Sequence, residues 1–186
     1  MTATLTSSKR KIAMSLLKTI SAKHVVLSIA LAGLIGEIAF EIYAWVVSPL
    51  LFNVILQPSN LVIALTAKLT GAQISKAIAF PVHFLIGSLG FGLFVYATRL
   101  LMPARVWLTG FVSGLVLWFV AQGMLAPFIG RSFMMDFGTY TQSSFVGHVG
   151  MTLLMAHLLA AFLAYFENPT GLRAPLDATP APSARN

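Results

Sequence analysis

The chain has 186 residues, of which 58% are hydrophobic and 9% charged, with a net charge of +7 and no cysteine. A water-facing domain carries about 25% charged residues, so this composition excludes an ordinary soluble domain and makes lipid the expected solvent. The lack of cysteine excludes disulfides, iron–sulfur clusters and thiolate ligation of zinc or haem.

In chain order, Lys9, Arg10, Lys11, Lys18 and Lys23 crowd the start, just before the first apolar run. Such clustering marks a juxtamembrane segment facing anionic lipid. Nucleic acid is not the expected partner, because no basic face interleaved with aromatics accompanies it. Ile12, Leu16 and Ile20 recur at helical spacing, so a short interfacial helix is expected within residues 1–24. Cleavage of a signal peptide at Ala30-Leu31-Ala32 is not expected, since the apolar run continues to Val47.

Four stretches, Val25–Val47, Ile78–Thr98, Val106–Phe128 and Ser144–Phe166, have the roughly 20 residues needed to cross a hydrocarbon core. Backbone groups in lipid must be satisfied internally, so these are helices. The expected fold is therefore all-α: a polytopic integral membrane protein with four transmembrane helices spanning residues 25–166. Between the first two, "QPSNLVIALTAKLTG" reads as a short helix, with Pro58 before it, Ser59 or Asn60 as cap and Gly71 as stop. It is too short to span and is expected on the outer surface, as a lid packed on the bundle. The proline-rich tail, 167–186, is expected to be disordered. Nine of the 12 Lys and Arg residues lie on the side of the termini, against Lys68, Lys76 and Arg131 on the other. The positive-inside rule then puts both termini in the cytoplasm.

Ionisable groups inside a membrane are expensive and are functional candidates by default. Here they are Glu37 and Glu41 in the first spanning helix, His83 in the second, and His148 and His157 in the fourth, with Gln122 as a neutral polar group in the third. At about 1.5 Å rise per residue, Glu41, His83, Gln122 and His148 fall in one outer layer, with Glu37 a turn deeper. Glu37 and Glu41 share a helix face. His83 shares one with Gly87, Gly90 and Phe94, and glycine lets a neighbouring helix come close. Ser88 with Gly92, and Gly110 with Gly114, are further small-residue contacts. His157 lies on the opposite side of its helix from His148 and cannot serve the same site.

Several chemistries fit this layer. Haem b could be held by His83 and His148, one imidazole from each of two helices. A bare metal would use Glu37, Glu41, His83 and His148, and a copper(I) version would recruit Met124, Met134, Met135 and Met151. Glu37 and Glu41 could instead handle protons or ions in an oligomer. The plainest alternative is structural: acids and imidazoles pair with one another, or with Gln122 and Tyr43, to fix helix register. Nucleotide-binding, phosphate-loop and zinc-protease motifs are absent. The leading expectation is thus a non-enzymatic membrane protein, an accessory or stress-related component. Its partners would be the bilayer, anionic lipid at the N-terminal segment, and further copies or subunits of a larger complex.

"KLTG" and "FPVHFLIGSLGFGLFVYA", then "GFVSGLVLWFVAQGMLAPFIG" with Trp118, Pro127 and Gly130, and "SSFVGHVG" with His148, carry a resemblance. Over roughly residues 60–165 the chain is similar to the YagU-like type, a family of small four-helix bacterial inner-membrane proteins. The resemblance implies four transmembrane helices and an inner-membrane address, and points to His83 and His148 as positions to test. It supplies no catalytic residues, and Glu37 and Glu41 lie outside the matched part.

Overall fold

Long apolar runs satisfy their own backbone by closing into helices. The computed structural model, which describes residues 21–103 and 105–167, is helical throughout, with no strand among those residues. The elements are α1 (Ala22–Phe52), α2 (Ser59–Thr70), α3 (Lys76–Leu101), α4 (Val106–Phe128) and α5 (Thr139–Glu167). All but α2 are long and apolar enough to cross a membrane. The expectations for an interfacial N-terminal helix and a disordered tail fall almost wholly outside the described residues.

The span α4 has the bounds expected from hydropathy, whereas α1, α3 and α5 run further. In α1 the reason is local. The helix widens into a π turn over Tyr43–Val47, where the Ser48 N–H bonds to the Tyr43 carbonyl, and so continues past Pro49. Proline removes one helical hydrogen bond and its ring crowds the preceding turn; a widened turn relieves both. The same arrangement recurs in α4, where the π segment Val120–Leu125 precedes Pro127. A third π segment, Ile86–Phe91, interrupts α3. At α2 the stop is Gly71, in the left-handed region at φ 74°. Its start differs from expectation: neither Ser59 nor Asn60 caps it, and Asn60 instead donates to Gln57 Oε1 at 3.1 Å.

The longest seam joins α4 to α5, and α1 packs on α5 and on the π segment of α3. Small residues set these distances. A Cβ added at Gly110 or Gly114 would fall 2.6 Å from the Cα of Leu153 or Val149. Thr152 Oγ1 donates across the same gap to the Gly110 carbonyl at 2.8 Å. The interior holds hydroxyls, among them Ser28, Ser48, Thr109, Ser113, Ser143 and Thr152, whereas Leu50 and Leu101 are 79% and 82% exposed. Hydroxyls within the core beneath exposed leucines are the pattern expected of helices that pack in an apolar solvent. Between α4 and α5, Met134 to Phe137 all adopt positive φ in a single tight turn, fastened by Thr141 Oγ1 donating to the Met134 carbonyl at 2.6 Å.

Candidate functional site

Glu37 and Glu41, one helical turn apart on α1, meet His83 of α3. His83 Nε2 lies 3.2 Å from Glu37 Oε1 and 3.8 Å from Glu41 Oε1. One ligand atom from each of the three residues lies within 4.8 Å of the other two. Glu37 is 0% exposed and His83 9%. Gly87, one turn beyond His83, makes the room: an added Cβ there would coincide with the Glu37 carboxylate. The 3.2 Å approach lacks the alignment of a hydrogen bond. Both Glu37 oxygens, Glu41 Oε1 and His83 Nε2 are buried with no hydrogen-bond partner among the described residues. Glu41 Oε2 is satisfied, accepting from Trp45 Nε1 at 2.8 Å.

Leaving such groups unpaired in a dry interior costs on the order of 1–3 kcal/mol each, and more if charged. Ionised, two carboxylates facing one imidazole also carry net negative charge, with no Lys or Arg in ion-pair contact among the described residues. Protons or a metal ion would balance it. The set of two carboxylate oxygens and one imidazole nitrogen suits zinc, manganese or iron(II) and not soft copper(I). Two ligands each about 2.1 Å from one cation stand at most about 4.2 Å apart, a range that includes the two observed separations.

Beside His83 is a cavity of about 170 Å³, lined from all five helices. His83, Gln122, Ser144 and His148 line it, so the outer-layer residues other than the acids meet there. Phe40 lies beside both imidazoles, with ring centroids 6.3 Å from His83 and 5.6 Å from His148. Gln122 Nε2 donates to Ser144 Oγ at 3.2 Å. His148 Nδ1 is 2.7 Å from the Ser144 carbonyl, which can only accept, so this nitrogen carries the proton. The three π segments all fall at this level. One begins two residues after Glu41, one begins three after His83, and one contains Gln122. Such bulges occur often at functional sites.

Several placements differ from those expected. Gly90 does not pack a helix: it is exposed, and the nearest atom to an added Cβ is its own helix's Ile86 Cγ2 at 3.8 Å. The π segment adds a residue to the turn and rotates the remainder of α3, so Gly92 takes the inward position, with an added Cβ 3.0 Å from the Ile29 carbonyl. Tyr43 and Gln122 do not pair with the acids; Tyr43 Oη bonds at 3.0 Å to Ser143. Met124 is 56% exposed, and Met151 belongs to the main apolar core with Phe40, Val95 and Met155. His157 stands apart from the buried His148, as its spacing implied: it is exposed and bonds its own helix at Leu153. Ser144 and Phe40 were not among the expected site residues; the one available sign was Ser144 standing a helical turn before His148. Compared with known protein families, with curated proteins and with solved structures, the chain matches none.

Proposed function

We propose that this is a multi-pass protein of the bacterial inner membrane, with both termini cytoplasmic and α2 on the outer surface, that holds a divalent cation at Glu37, Glu41 and His83. It works as a non-enzymatic accessory component, in keeping with the YagU-like resemblance and the absence of a catalytic motif. The observation that carries the cation is the fully buried Glu37 carboxylate, both oxygens unpartnered, 3.2 Å from an imidazole nitrogen that is also unpartnered. A bare ion has better support than haem b. His83 turns its Nε2 toward two carboxylates. The adjoining space of about 170 Å³ is also below the roughly 300 Å³ at which sites for larger ligands begin.

Elemental analysis of the full chain, purified in mild detergent and titrated with Zn²⁺ or Mn²⁺, tests this. The expected result is saturable binding near one ion per chain, abolished in Glu37→Gln, weakened at least about tenfold in Glu41→Gln and unchanged in His157→Ala. Equal binding in all four proteins, or none in any, would overturn the proposal; an absorption band of haem in the same sample would replace the ion with haem. Proton or ion passage through an oligomer is a second reading, favoured by the same unpartnered atoms. Flux into proteoliposomes that disappears in Glu37→Gln, from protein that binds no metal, would select it.

A further inference from the structure

We propose that the cavity beside the cluster binds a single-ring phenolic ligand, either a free phenol or the head of a lipid quinol. The cavity and the cation site are separate, sharing only His83 in a wall.

Size limits the occupant. A cavity of about 170 Å³ is close to the roughly 150 Å³ engineered cavity that stays dry and accepts benzene. Its walls are mostly apolar, built from Phe40, Leu61, Leu65, Phe91 and Leu117, with Arg131 and Tyr140 adding polar groups away from His148 in sequence. Water gains little against such walls, whereas an aromatic ring fills the space and buries its own surface.

The polar end sets the ligand's chemistry. Gln122 and His148 line the cavity and are each 8% exposed. With Nδ1 donating to the Ser144 carbonyl, His148 keeps the lone pair on Nε2, and a ligand must bring a hydrogen to it. Gln122 Oε1 is buried without a partner among the described residues. Its amide can equally be turned over, so that Ser144 Oγ–H donates to the oxygen. Both residues meet at Ser144, with Oγ 3.2 Å from the Gln122 nitrogen and 3.3 Å from His148 Nδ1. One hydroxyl on a ring edge therefore answers the imidazole: it donates to His148 Nε2. A plain hydrocarbon brings no hydrogen to the imidazole lone pair.

The test is titration of the detergent-purified full chain with phenol, with a short-chain alkylhydroquinone and with toluene, read by calorimetry. Phenol is expected to saturate one site per chain and to bind about tenfold more tightly than toluene. His148→Leu should erase that difference. Val62→Phe, which adds bulk to the cavity wall from α2, should abolish binding of both while leaving the polar end intact. Alkylhydroquinone binding at least about tenfold tighter than phenol would identify the source as a lipid quinol; equal binding would identify a free phenol. Toluene binding as well as phenol, non-saturable uptake of all three, or full binding in Val62→Phe would overturn the proposal. None of these outcomes depends on whether a metal is bound at Glu37.

Discussion

Gly87 shows how far a single residue can govern a buried charge. It has no side chain at the spot where the Glu37 carboxylate lies, so an alanine there competes directly with the acid. Gly87→Ala is expected to lower stability by about 1–3 kcal/mol through overpacking. Gly90→Ala meets only ordinary contact and should gain about 0.5–1 kcal/mol from helix propensity. Thermal unfolding of the two variants in one detergent measures both, and equal losses would put Gly87 and Gly90 in the same environment. Residue types and spacing were enough to nominate Glu37, Glu41 and His83. They could not separate Gly87 from Gly90, because both sit on the His83 face in an ideal helix. The π segment that holds them both leaves no composition signal of its own.

At the scale of elements, the α4–α5 seam depends on backbone approach. Gly114→Ala would push a Cβ against the Val149 Cα and is expected to cost about 1–3 kcal/mol. Gly150→Ala, on the same seam's far helix but with nothing within 4 Å, should be neutral or slightly stabilising. The comparison is again read by thermal unfolding, and a neutral Gly114→Ala would mean that the seam is looser than these distances require. The four long helices and the Gly71 stop of α2 were legible because hydropathy and a left-handed glycine are strong local signals. The extension of α1 past Pro49 was not. Proline ordinarily ends a helix, and the widened turn that carries it through is built from Tyr43–Val47, residues that would serve as well in a regular helix. The left-handed turn at Met134–Phe137 contains no glycine, so nothing in its composition announces it.

For the whole molecule, the arrangement of charge predicts topology. With nine of 12 basic residues on the side of the termini, a reporter fused after Asn186 should be active in the cytoplasm only, and one inserted at Gly71 only outside it. The opposite pattern would reverse the orientation and place the cavity at the cytoplasmic end. The packing itself has a different consequence, one for variation. Outward-facing positions such as Leu50 and Leu101 answer only for hydropathy, so leucine, isoleucine, valine and phenylalanine are interchangeable there. Inward positions such as Gly33, Gly110 and Thr152 answer for volume, where one methyl group is felt at a neighbouring backbone. Drift in this chain is therefore free around the circumference and arrested along the seams. Distant relatives should be recognisable by where their small residues fall, even where few outer residues are shared.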